Sequence, residues 1–110
     1  MLDLNEIAKH SLKTSKQRLE NGATFTKDNL KHCAEEVIES VQARTIYNAV
    51  GDSTVQEYLQ ELRDNFEDEL MDILVCVLIE CAENNIDIEK ALLRCINKNN
   101  KRALCIGDKL

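Results

Sequence analysis

The chain has 110 residues, 44% hydrophobic and 31% charged, which suits one soluble domain with a core of its own. Its net charge of -6 disfavours non-specific binding to nucleic acid or an anionic membrane, and would repel a polyphosphate unless a cation or a local basic cluster intervened. With no proline, three glycines, two tyrosines, two phenylalanines and no tryptophan, the composition favours helices over sheets.

The first predicted helix runs from about Leu4 to Glu20, with Leu4, Ile7, Ala8 and Leu12 at helical spacing and Gly22 as a stop. Its opening, "MLDLNEIAKH", is acidic and amphipathic and does not read as a signal peptide. The second runs from about Lys27 to Tyr47. Leu30, Cys33, Ala34, Val37, Ile38 and Val41 make one apolar stripe along it, and Gly51 and Asp52 break it. The third opens at Ser53, a plausible N-cap, and either continues to Asn84 or is interrupted near residues 63 to 65. Its second half, "LMDILVCVLIECA", is apolar nearly all round, as expected of a bundle centre or a subunit interface. The run from Leu70 to Cys81 is too short to span a membrane and holds Asp72 and Glu80. The fourth helix starts after the cap Asp87 and carries Ile88, Ala91, Leu92, Cys95 and Ile96. Helices joined by short turns predict a single all-α domain over residues 1–110, an antiparallel four-helix bundle.

Five cysteines, Cys33, Cys76, Cys81, Cys95 and Cys105, form no CxxC pair. They read as small buried hydrophobes in a reducing cytoplasm rather than a disulfide framework or zinc ribbon. His10 and His32 do not follow a Glu by three residues, which excludes the Glu-x-x-His pairs of di-iron bundles. Both read as surface or partly buried histidines.

Residues three apart share a helix face, so Glu36 and Glu39 of "CAEEVIES" project together. Periodicity alone places them opposite the apolar stripe, facing solvent. Glu69 and Asp72 of "EDELMDILVC" are a second such pair, with Asp72 between Met71 and Ile73. A carboxylate in apolar surroundings is costly unless it is paired or binds a cation. Two helices that each present such a pair can converge four carboxylates, and an oxygen-only nest suits Mg²⁺ or Mn²⁺. Glu35, Glu80 and Glu83 read as solvent or interface acids.

The order Glu36-Val37-Ile38-Glu39 followed by Glu69-Leu70-Met71-Asp72 resembles the ExxE…ExxD signature of the MazG-like all-α nucleoside triphosphate pyrophosphohydrolases. "NIDIEKAL" and "KNNKR", downstream, are similar to further blocks of that family, so the resemblance covers residues 30 to 102. The spacer at residues 40 to 68 is long for the family, and Ala103 stands where an aromatic often follows the last arginine. The resemblance implies hydrolysis of a nucleoside triphosphate between its α- and β-phosphates. It also implies Mg²⁺ held by Glu36, Glu39, Glu69 and Asp72, phosphate or sugar contacts from Lys98, Asn99 and Arg102, and a homodimer or homotetramer with sites near the subunit interface. Pocket walls are expected in the first helix and residues 48–66, and Lys31 reads as a solvated lysine. The alternatives are a non-catalytic helical module that binds a nucleotide or a protein, and a plain structural bundle with acidic faces.

Overall fold

In the computed structural model, the described residues are 2–50 and 55–104. Helix α1 spans Leu4–Glu20, α2 Asn29–Val50, α3 Gln56–Glu83 and α4 Ile88–Ala103. All four expected helices are present, and no strand occurs among the described residues.

The ends are set by local chemistry. The Asp3 carboxylate accepts the Glu6 N–H at 3.2 Å and starts α1. Beyond its end, Gly22 adopts φ +93°, a left-handed conformation that costs glycine little. Asp28 accepts from the backbone of Leu30 and Lys31 and opens α2. Asp87 accepts the Lys90 N–H at 3.3 Å and starts α4, as its position in the sequence indicated. Between α3 and α4, Asn85 takes φ 55°, and the Ile86 N–H closes the turn onto the Cys81 carbonyl at 2.9 Å. Helix α3 passes through residues 63 to 65 without a break. The expected Ser53 cap and the Gly51–Asp52 break lie outside the described residues. Val55 stands at the start of α3 and gives no side-chain cap.

Helix α3 is the central element. Asn29, at the start of α2, bonds to Cys76 near the end of α3, whereas Tyr47, late in α2, stacks on Phe66. The two helices are therefore antiparallel. On α3's other side, Ala8 of α1 packs with Leu78, and Ile88 of α4 completes the same buried cluster. Leu4, Ile7, Cys81 and Ala82 surround it. Asn5 latches the corner, accepting the Ile88 N–H at 2.9 Å and donating to Asp87 at 3.3 Å.

One expectation is corrected. The residues α2 buries are Asn29, Cys33, Ser40 and Ala43, with Cys33 the one member of the predicted stripe among them. Leu30, Val37, Ile38 and Val41 stay exposed, Leu30 and Ile38 by about 60%. The helix is rolled so that its small and polar side meets α3. Leu70, Met71, Leu74, Val77, Leu92, Leu93 and Ile96 are also exposed. The radius of gyration is 17.5 Å, against about 13 Å for a compact chain of this length. Four helices thus form an open arrangement whose apolar faces are only partly used within one chain.

Leu78, 5% exposed in the α1–α3–α4 cluster, is the side chain on which this small core most depends. Leu78→Ala is expected to lower stability by about 2–4 kcal/mol, read as a reduced midpoint in urea with little change in slope.

Candidate functional site

The antiparallel α2–α3 pair brings the two acidic stretches to the same level. Glu36, Glu69 and Asp72 each offer a carboxylate oxygen, all within 4.8 Å of one another. Glu39 lies close enough for its charge to act on both Glu36 and Glu69, so all four predicted acids gather at this level. Glu36 is not on a wet face: its side chain is 12% exposed and its Oε1 lies 3.2 Å from His32 Nε2. Asp72 and Glu39 lie toward the open side.

Burial, first, and then the neighbouring charges of Glu39 and Asp72 push Glu36 up to about 7. Glu69 is raised for the same reasons, burial ahead of Glu39 and Asp72. Buried oxygens Glu36 Oε2 and Glu69 Oε2 have no hydrogen-bond partner within the protein. Unpartnered buried carboxylate oxygens pointing into a cluster of like charge are what a cation satisfies. The donors are all oxygen, which fits a hard divalent ion.

A cavity of about 520 Å³ opens beside these acids, and Glu36 and Asp72 form part of its wall. Helix α1 supplies the opposite wall with His10, Ser11, Thr14, Ser15 and Arg18. The Phe25 ring lies between the Arg18 guanidinium, 4.9 Å from its centroid, and the His32 ring at 5.1 Å. The expected wall in the first helix is present, but no described residue of 48–66 lines this cavity. His10, Thr14 and Arg18 recur at four-residue intervals on the polar side of α1. That four-residue spacing is the signal the sequence carries for them.

Asn29 secures the cavity floor. Its Nδ2 donates to the Cys76 carbonyl at 2.8 Å and to Glu80 Oε1 at 3.3 Å. Glu80 is therefore an internal acceptor rather than a solvated acid, and it also receives Asn84 Nδ2 at 2.9 Å. Glu35 accepts from the Thr26 hydroxyl at the rim, and Lys31 is exposed as expected. Cys33 and Cys76 are buried side by side; burial, aided by Cys33 and Glu36, pushes Cys76 up to about 12. Both fit the expected small buried hydrophobe. Cys95 does not, being exposed on α4, and Cys105 lies outside the described residues.

The basic residues are placed apart from the acids within one chain. Lys98 and Lys101, with Arg94 and Asn97, line a separate depression on α4. Asn99 Nδ2 reaches only Cys95 Sγ, at 3.8 Å. Arg102 is partly buried, and its Nε has no hydrogen-bond partner in the protein. None of Lys98, Asn99 and Arg102 lines the acid cavity.

The raised Glu36 has a consequence for stability. In the folded protein it holds a proton up to about pH 7, whereas unfolded it releases it near 4.5. Between these values the folded state binds more protons, so stability falls as pH rises. Without divalent cations, the melting temperature is expected to drop from about pH 5 to about pH 8, and Glu36→Gln to flatten that slope in a thermal-shift series.

The sequence model of the MazG nucleotide pyrophosphohydrolase domain matches residues 24–104. No curated protein and no solved structure gave a match. The matched span contains α2, α3 and α4, the four converging carboxylates and the basic residues of α4. The chain belongs to the MazG nucleotide pyrophosphohydrolase domain family.

Proposed function

We propose that this protein is a Mg²⁺-dependent pyrophosphohydrolase, with Mn²⁺ able to substitute, which cleaves a ribo- or deoxyribonucleoside triphosphate between its α- and β-phosphates. Water attacks the α-phosphorus, the bond to the bridging oxygen breaks, and a monophosphate and pyrophosphate leave. The observation that supports this reading is the convergence of Glu36, Glu69 and Asp72, with Glu39 beside them, next to an open cavity walled in part by Glu36 and Asp72, with two buried carboxylate oxygens unpartnered.

In this reading the four acids hold the cation. Bound there, Mg²⁺ would polarise the phosphoryl oxygens and lower the pKa of its water. The protein's own part is positioning. Asn29 ties the start of α2 to α3, which keeps Glu36 level with Asp72. His32 fixes one Glu36 oxygen and leaves the other toward the cluster. The Phe25 ring offers an apolar surface for a base or sugar, and Arg18 beside it supplies a positive charge.

The same proposal extends to assembly. The exposed apolar stripe of α2 and the exposed Leu92, Leu93 and Ile96 of α4 are covered in a homodimer or homotetramer. Lys98, Asn99 and Arg102, which do not reach their own chain's acid cavity, would contact phosphate or sugar in a neighbour's. The acidic net charge speaks against nucleic acid as a partner. No helix of the described residues is long and apolar enough to cross a membrane. The free thiols of Cys33, Cys76, Cys81 and Cys95 favour the reducing cytoplasm.

Pyrophosphate release from a panel of nucleoside triphosphates tests the reaction. Activity is expected with Mg²⁺, none with EDTA, and a loss of at least about a hundredfold in Glu69→Gln. A folded protein that binds Mg²⁺ yet releases no pyrophosphate from any nucleotide would favour the binding module instead. For assembly, Ile38→Glu is expected to shift the sedimentation profile toward the monomer, because it puts a charge in the centre of the exposed stripe.

A further inference from the structure

We propose that His32, Glu36 and Cys76 form a second cation site, of mixed nitrogen, oxygen and sulfur character, which takes a thiophilic divalent ion of the Zn²⁺ type and shares Glu36 with the all-oxygen site. His32 and Glu36 stand one turn apart on α2, and Cys76 faces them from α3. One donor atom from each lies within 4.8 Å of the other two. Tetrahedral zinc bonds of about 2.0–2.3 Å place neighbouring donors about 3.5 Å apart, so modest side-chain rotation closes the triad.

Two features support it independently of that proximity. His32 Nδ1 and Glu36 Oε2 are buried and have no hydrogen-bond partner in the protein. Each group therefore keeps an unused lone pair or proton beyond the 3.2 Å contact it makes through its other atom. The three side chains are also held in place. Phe25 packs on the His32 ring, Cys76 is buried beside Cys33, and the Glu36 side chain is only 12% exposed. Such outer partners fix ligand orientation at metal sites. Three protein donors leave one position open to the cavity, for water or a phosphate oxygen.

The two sites differ in what they select. A sulfur donor favours Zn²⁺ over Mg²⁺, whereas carboxylates alone favour Mg²⁺. Binding replaces the Cys76 S–H bond with a sulfur–metal bond and releases one proton to solvent. Two dications bridged by one carboxylate repel each other, and Glu36 cannot serve both fully. Zinc at the mixed site therefore weakens magnesium at the other. That antagonism rests on the pyrophosphohydrolase reading; the existence of the mixed site does not.

Co²⁺ titration of the full chain, followed by absorption spectroscopy, tests the site directly. The expected result is a sulfur-to-cobalt charge-transfer band that saturates at one ion per chain, is bleached by Zn²⁺ and persists in excess Mg²⁺. Cys76→Ser is expected to abolish the band. His32→Gln, at the cavity wall, is expected to weaken Co²⁺ binding by at least about tenfold and decides the matter if Cys76→Ser does not fold. Asp72→Asn, which alters only the oxygen site, is expected to retain the band. Absence of the band in the wild-type protein, its survival in Cys76→Ser, or unchanged affinity in His32→Gln would overturn the proposal. Because the readout is spectral, a protein without pyrophosphohydrolase activity still gives a clear answer.

Discussion

Everything at the centre of this molecule depends on how α2 and α3 meet. Two antiparallel helices usually join through apolar side chains. Here the seam is Asn29, Cys33, Glu36, Ser40 and Ala43 on one side, with Glu69, Asp72 and Cys76 opposite. Carboxylates brought together in a partly buried seam repel one another and lose hydration. The seam is pinned near its two ends: Asn29 bonds across it to the Cys76 carbonyl, and Tyr47 stacks on Phe66 at the far end. Those contacts set the register but leave Glu36 and Glu69 each with an unpartnered buried oxygen. The fold therefore presents an electrostatic deficit in one place, and the proposed cation is what removes it.

The same choice explains the shape of the chain. Once α2 gives its small and polar side to α3, its aliphatic residues face away. Leu30, Val37, Ile38 and Val41 lie outside, and α3 exposes Leu70, Met71 and Leu74. The apolar driving force that would compact a lone bundle is directed outward, and the radius of gyration is large for the length. In this view, site and assembly have one origin. A helix cannot turn both its acids and its aliphatic stripe toward the same neighbour, so a second chain becomes the natural cover for the stripe.

This also shows where sequence reasoning worked. Helix positions were legible because spacing, Asp87 and Gly22 are local signals, and of the two courses open to the third helix, α3 takes the unbroken one through residues 63 to 65. The four acids were legible as two i, i+3 pairs, since helix geometry alone puts Glu36 with Glu39 and Glu69 with Asp72. What periodicity could not give was the roll of α2. It assumes that the apolar stripe faces the nearest neighbour in the same chain, and so it sent Glu36 to solvent. The same assumption leaves His32 a surface or partly buried histidine and gives no sign of its contact with Glu36, four residues on along the same face. The α1 wall was expected and its four-residue spacing is visible in the sequence, but only tertiary approach sets His10, Thr14 and Arg18 opposite Asp72.

The charge balance leads to a final step. A chain of net charge -6 is a poor host for a triphosphate, and its most acidic corner is the least suitable place of all. The arrangement resolves this by separating signs over short distances. Carboxylates occupy the α2–α3 wall, Arg18 stands over Phe25 on the α1 side, and the remaining cations cluster at the end of α4. A divalent ion at the acids would offset part of their charge and give that wall a cationic contact for phosphate, with Arg18 across the cavity as a second positive group. Without the ion, the cavity would repel a triphosphate. In the proposed function, cation and nucleotide binding would then be linked by charge, each strengthening the other. Such linkage needs no moving part. It requires only that Glu36 and Glu69 be held where water cannot fully satisfy them, and the seam between α2 and α3 holds them there.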